Sequence, residues 1–507
     1  MRQHPRIWSL SILFAFCLTT DPLSSGQAPG QADVKTQIPP HPRALKYKPL
    51  QYTPPKAAAY RQVLSNGVVG YFVEDHDLPL VNISVMFRIG IYLDPEGKKG
   101  LSAATASQLR SGGTIHYKAE AFDEEADFIA AEISNSVGPT SGGASINFMT
   151  KDTDKAMALF FDMLRNPAFQ QDRLDLYKSQ VLQAIERRND RTDEIEIREW
   201  NRLMRGEKHF TSAHSTKASI TSLTKEDLMN FHKKYYHPGN MILAISGDFQ
   251  TADMKAKLEK AMEGWANSGV AVPKIPKPEY EPVPGVYMVD KPEVNQGRVS
   301  IGHLGIMRGN PDEVALDMMN EILGGSEFSS RIMNRVRTDE GLAYSAGSSF
   351  SAGVYYEGQF RAAFQSKSET AAQAAQIVLD EIQRMRNEKV SSEELQTVKN
   401  QAIEVFPRYF ASAPAIAETF ASDEFTGRAP DFWDTYRDKV KAVTVADVQR
   451  VARKYLNPDK LVILVVGNTD SITKANPDKP EYSFQKMTKG EIIPIPLPDP
   501  STMIYPK

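Results

Sequence analysis

The chemistry on offer in this 507-residue chain centres on one guanidinium and one phenol. Arg337 and Tyr344 lie seven positions apart in ILGGSEFSSRIMNRVRTDEGLAYSAGSS, Ile322 to Ser349. A guanidinium and a phenol hydroxyl aimed at a carbonyl oxygen stabilise the negative charge that develops when a peptide bond is attacked. A plainer reading covers the same residues. Arg337 stands near a helix C-terminus, where a cation meets the helix dipole favourably. Gly341 suits a left-handed cap, and Tyr344 begins a strand in which one hydrogen bond would satisfy it. Spacing alone leaves both readings open. The other candidates are weaker. His209 and His214, in KHFTSAHS, read as members of a polar loop before they read as metal ligands. His303, in VNQGRVSIGHLG, reads as packed or surface-exposed, and His116 stands alone. Glu186 and Asp190 have no histidine pair to complete. The Met and Phe residues of the helix at 155–165 make a core face, not a cofactor box. No G-x-S-x-G elbow, phosphate loop or cysteine pair appears, and Cys17 is the only cysteine,.

Positioning those residues takes a frame, and the frame is repeated. LTKEDLMNFHKKYYHPGNMILAISGD and VTVADVQRVARKYLNPDKLVILVVGN align without a gap. Thr224 pairs with Thr444, Asp227 with Asp447, Tyr235 with Tyr455, Pro238 with Pro458 and Gly247 with Gly467, always 220 residues apart. Each copy has a Thr start signal, an amphipathic helix, a Pro turn and a continuous apolar run ending in Gly, which predicts helix, turn and buried strand. Gly112-Gly113-Thr114 likewise parallels Gly324-Gly325-Ser326. Proline clusters punctuate the chain. Gln27 to Lys56 holds seven prolines, and others run from Val272 to Gly285 and from Gly490 to the end. The expected layout is a signal peptide at 1–28, an extended lead-in at 29–58, one domain at 59–266, a Pro-rich linker at 267–285, a second domain at 286–470 and an extended tail at 471–507.

A family resemblance gives these pieces a meaning. The segment VNISVMFRIGIYLDPEGKK (81–99) followed by GLSAATASQLRSGGT (Gly100 to Thr114) resembles the N-terminal half of the M16 (pitrilysin/insulinase-like) metallopeptidases. There the helix reads approximately G-L-A-H-F-L-E-H-M-L-F-K-G-T. Two His at i and i+4 hold a zinc ion and the Glu between them activates water. Aligned on the leading Gly-Leu, with one extra residue after Ser107, those positions fall on Ala103, Ala106 and Ser107. The third ligand of the family, a Glu in a V-x-x-E-I helix, falls on Ala184 in LYKSQVLQAIERRND. A catalytic zinc needs three protein ligands and an open position. Residues 97–115 contain neither His nor Glu, so no shift of register supplies them. The second-half match is stronger: Ile322 to Ser349 is similar to the family signature L-G-G-x-x-x-S-R-L-x-x-x-[IV]-R-E-x-x-G-L-A-Y-S. The resemblance places Arg337 and Tyr344 on the pair that reaches across to zinc. It also implies substrate contacts at Gln296, Gly324 and Gly325. The implied fold is α+β, with two tandem homologous domains, each a mostly antiparallel sheet with helices packed on one face (the LuxS/MPP-like metallohydrolase fold).

Composition narrows the function classes. Hydrophobic residues make up 41 % of the chain, enough for sizeable cores, and the net charge of −3 without a basic block argues against nucleic acid,. Arg2 and Arg6 precede the short apolar run Ile7 to Thr20, and small residues follow, which reads as an export signal to the periplasm. An uncleaved N-terminus serving as a membrane tether is the alternative. Taken with the resemblance, the expectation is a non-catalytic subunit of an exported heterodimeric M16-type zinc peptidase, inactive alone. It would hold no cofactor itself, since zinc belongs to a homologous partner carrying H-x-x-E-H. It would supply chamber wall, a peptide-binding edge strand and the Arg337/Tyr344 pair to a peptide or unfolded polypeptide substrate. The alternative is a structural or binding core-type protein on the same frame, with no role in proteolysis.

Overall fold

Why the two apolar runs are apolar on every side becomes clear from where their strands lie. In the computed structural model, which describes residues 50–474, 476–488 and 490–506, Met241–Gly247 and Val462–Gly467 are buried at every position. Each runs inside a six-stranded sheet covered on both faces, and such strands select continuous apolar sequence. The expected signal peptide and most of the lead-in lie outside the described residues.

The strands in chain order are β1 (Arg61–Val63), β2 (Val69–Glu74), β3 (Leu80–Phe87), β4 (Glu132–Val137), β5 (Gly142–Met149), β6 (Met241–Gly247), β7 (Gly285–Asp290), β8 (Gln296–Leu304), β9 (Ile306–Met307), β10 (Ala343–Phe350), β11 (Ala352–Gly353), β12 (Gln359–Lys367), β13 (Val462–Gly467) and β14 (Ile493–Pro494). The first sheet has the order β1-β2-β6-β3-β5-β4 and the second β10-β12-β8-β13-β7-β14; β9 and β11 form a small parallel pair. Within each sheet one central pair is parallel (β2 with β6, β7 with β13) and the pairs through β3, β5 and β4, or β8, β12 and β10, are antiparallel. The sheets are thus two versions of one topology. They differ at one edge, where β1 is antiparallel but β14, from the final segment, is parallel. The stretch expected to be extended carries two short helices, Thr469–Lys474 and Phe484–Met487, before β14, and beyond β14 the Tyr505 hydroxyl donates to Glu199 at 2.8 Å.

The repeated helices start alike. Thr224 caps Lys225–Tyr235 and Thr444 caps Val445–Tyr455, each with the reciprocal Asp three residues on. That capping box satisfies backbone donors at both ends of the turn. A short turn at Pro238–Asn240 or Pro458–Lys460 then feeds the buried strand.

Helices of the same half cover one face of each sheet. The other face is covered by a helix from the opposite half. Thr192–Arg205 lays Ile195, Trp200, Leu203 and Met204 on Val289, Val462, Leu464 and Val466 of the second sheet. Ala413–Thr426 lays Ala417, Phe420, Ala421 and Phe425 among Tyr71, Val73, Ile242 and Ala244 of the first. A glutamate anchors each crossing. Buried Glu196 accepts from Ser300 at 2.5 Å and Arg361 at 2.8 Å, on β8 and β12. Glu424 accepts from Arg61 at 2.8 Å and from the Tyr71 hydroxyl at 2.7 Å, on β1 and β2. Burial and the adjoining Glu424 both push the Tyr71 phenol pKa up. Gln51–Lys507 therefore forms a single compact unit.

Candidate functional site

The helix that resembles the M16 zinc helix is Leu101–Ser111. Asp94, buried seven residues before it, starts it. Its carboxylate accepts from Gly100 N at 2.8 Å and Ser102 N at 2.7 Å. That satisfies two of the free donors every helix N-terminus presents. Burial raises the Asp94 pKa while those two bonds oppose the rise. The preceding turn needs Gly100, whose φ of 99° favours glycine,. The helix packs against Gln171–Arg187, the element that carries Ala184.

On this frame Ala103 and Ser107 are half-buried on one face, Ala106 is buried in the core and Ala184 is exposed. Methyl groups and one hydroxyl make no donor set for zinc, which takes thiolate, imidazole or carboxylate. The side chains present do not fit the metal. Among the described residues no group of three or more His, Cys, Asp or Glu is placed to hold a metal ion. Nearby, Tyr177 has its phenol pKa pushed up to about 12 by burial and by the Asp94 charge. The remaining candidates go elsewhere. His116 pairs with Asp162 at 2.6 Å on the surface. His209 bonds Thr211 at 2.7 Å and His214 is held neutral, its pKa lowered to about 4 by burial and by Arg188 and Arg198. Buried His303 donates from Nδ1 to Leu304 O at 2.7 Å and accepts from Asn457 N at 3.2 Å, a packing role.

Arg337 and Tyr344 meet. Gly341, at φ 64°, closes the turn that separates them, and its N–H donates to Arg337 O at 3.1 Å. The Arg337 guanidinium lies 5.1 Å from the Tyr344 ring centroid and 6.0 Å from that of Phe328. Tyr344 is 86 % exposed and Phe328 76 %, so the two rings nearest the cation themselves face solvent. It makes no hydrogen bond or ion pair among the described residues and can donate to an incoming carbonyl or carboxylate oxygen. Phe328 was not among the sequence candidates; its only signal was an aromatic residue inside an otherwise small and polar stretch, GGSEFSS.

The glycines position this pair. A Cβ on Gly324 would sit 2.4 Å from Ser348 Oγ and 2.6 Å from Ser348 N. Their absence lets the 321–325 turn lie flat on β10, the strand of Tyr344, where Asn320 pins it through Ser348 at 2.8 and 3.1 Å. Gly325 faces Asn320 and Glu321. Gln296 begins β8, exposed, and accepts from Gln365 at 2.7 Å; the register brings it to the same end of the sheet as Tyr344, with β12 between them. Arg331, the arginine of the Ser-Arg pair in the same signature, is buried and holds Glu394 through two bonds of 2.7 and 3.0 Å. Two free sheet edges flank the described features: β4, beside the 101–111 helix, and β10.

The chain is similar in sequence and fold to known M16-type proteins. Residues 222–402 match the family model described as the peptidase M16 inactive domain. The chain is 20 % identical over 415 residues to the non-peptidase homolog YmxG of Helicobacter pylori, covering 81 % of this chain and 94 % of that protein. Among solved structures, the peptidase M16 inactive domain from Pseudomonas fluorescens superposes with a TM-score of 0.72 at 25 % identity, over 80 % of this chain and 97 % of that one. The periplasmic protease PqqL of Escherichia coli superposes with a TM-score of 0.65 at 16 % identity, over 80 % of this chain and 45 % of that one, a likeness of fold.

Proposed function

We infer that this chain, a member of the M16 peptidase family, is a non-catalytic subunit that completes the active site of a zinc-bearing homologue. The observation that carries the reading is the contrast between its two halves. The first has alanine and serine where metal ligands belong, while the second holds an unpaired guanidinium and a phenol together at an exposed rim. Presented to a partner, Arg337 and Tyr344 would meet the scissile carbonyl oxygen as it gains charge, binding the transition state more strongly than the substrate. Peptide would lie along a free sheet edge, where backbone hydrogen bonds grip many sequences. The N-terminal charge and apolar pattern support export to the periplasm, and no helix among the described residues is long and apolar enough to cross a membrane.

The test is reconstitution. The mature chain alone, with added zinc, should cleave no peptide, and mixed with an H-x-x-E-H homologue from the same cell it should restore or raise cleavage. In that complex Arg337→Ala should lower kcat roughly 10- to 1,000-fold with a smaller change in KM, as loss of a transition-state donor does. Full activity of Arg337→Ala in the complex would remove the role given to the pair. Recovery of the chain in a stable assembly without any zinc-bearing homologue would favour the structural or binding alternative.

A further inference from the structure

At the edge of the second sheet opposite β10, beside β7 and β14, the chain builds a second charged feature. It is a cleft of about 950 Å³ walled chiefly by the end of the 192–205 helix with the loop after it, the proline-rich stretch at 276–280, and the final segment from Ile493 to Pro506, with Lys99 and Tyr287 completing the lining. Gly206 makes the junction possible, because a Cβ there would meet Tyr280 at 2.8 Å. A second cleft of about 310 Å³ adjoins it, and Arg205 lines both.

The walls are unbalanced in charge. Lys99, Arg202, Arg205, Lys208 and Lys277 outnumber Glu207 and Glu279 in the lining; Arg202 is bonded to Glu207 at 2.9 Å and lies 3.6 Å from Glu199, and Lys99 donates to Asp94 O at 2.9 Å, which leaves Arg205, Lys208 and Lys277. Arg205 has no hydrogen bond or ion pair among the described residues. Its Nε is buried without a partner, and the guanidinium rests 4.7 Å over the Tyr356 ring. Lys208 and Lys277, both exposed, have no hydrogen bond or ion pair among the described residues either. Burying a guanidinium N–H with no acceptor is costly, so a native acceptor is expected to reach it. Burial alone already lowers the Arg205 pKa, a sign that its charge is poorly solvated.

We propose that this cleft docks a short extended acidic segment of another polypeptide, its carboxylates reaching Arg205, Lys208 and Lys277. The cations come from different segments around a volume far larger than one small ion, so a single anion could not engage them all. Between them, Tyr280, Tyr287 and Pro494 offer apolar surface for the alternate side chains of an extended peptide. Glu207 and Glu279 in the same wall, and the net charge of −3, disfavour the dense phosphates of nucleic acid. The inference is independent of the role given to Arg337.

Fluorescence anisotropy with the mature chain and a labelled synthetic peptide alternating glutamate with leucine would test it. Saturable binding is expected, weakening as salt rises. Arg205→Ala should weaken it roughly fivefold or more, and so should the Lys208→Ala/Lys277→Ala double variant, whose exposed positions leave folding intact. Thermal melts of both variants establish that they are folded. Absence of saturable binding, equal affinity in the folded variants, complete displacement by stoichiometric tripolyphosphate, or preference for a single-stranded oligonucleotide would each overturn the proposal.

Discussion

Asp317 illustrates how one side chain sets a condition on the whole. It sits one turn from Glu313 and one turn from Glu321 on the same helical face, close to Tyr436. Burial, then the charges of Glu313 and Glu321, push its carboxyl pKa up to about 7 against the opposing pull of Arg428. In the unfolded chain this group titrates near 3.8. The folded state therefore binds the extra proton between those values, so its contribution to stability is full below about pH 4 and lost as pH rises through 7. Asp317→Asn removes that loss. Relative to the parent chain it should be more stable at pH 8 than at pH 5 by roughly 1–3 kcal/mol, read from denaturant melts at the two pH values. Equal differences at both would mean Asp317 is ionised in the folded protein throughout. Arg337 is the opposite kind of residue, a charge left solvated and unpaired, which only a second molecule can turn to use.

Elements were legible wherever one local pattern decided them. The Thr and Asp of each capping box, the Pro turn and the unbroken apolar run specify helix, turn and buried strand in both copies, because each choice is satisfied within about twenty residues of chain. The pairing of Arg337 with Tyr344 was legible only through the family resemblance, because their spacing alone left the helix-cap and strand reading open. Its third member was not, since nothing in GGSEFSS says where an aromatic ring will point once the glycines lie on β10. That placement is testable. Gly324→Ala forces a Cβ into Ser348 and should lift the turn off β10, costing about 1–3 kcal/mol of stability,. In the reconstituted complex it should also lower activity, although residue 324 would touch no substrate. A variant with unchanged melting and activity would show the close approach to be dispensable.

At the scale of the whole molecule the sequence pattern was least informative. The apolar faces of Thr192–Arg205 and Ala413–Thr426 announce that each helix must be covered, but amphipathicity carries no address. Only the tertiary structure reveals that each goes to the other half's sheet, with Glu196 and Glu424 as the fixing points. Calorimetry should accordingly give one cooperative transition, not two, since melting either half strips the cover from the other. Cleavage in the stretch at 266–284, which holds no helix or strand, should leave both pieces eluting together from a sizing column. Separation of the pieces under native conditions would mean the crossed helices add little to cohesion.

That crossing also governs how the protein can be dissected. A clone ending before Val286 would leave the continuous row from Met241 to Gly247 bare on one side, and a clone beginning there would do the same to Val462–Gly467. Insoluble or sticky halves would then report a missing lid, not a missing activity. Mapping by point substitution in the intact polypeptide, or by supplying the two fragments together, is the route that keeps cause and effect apart.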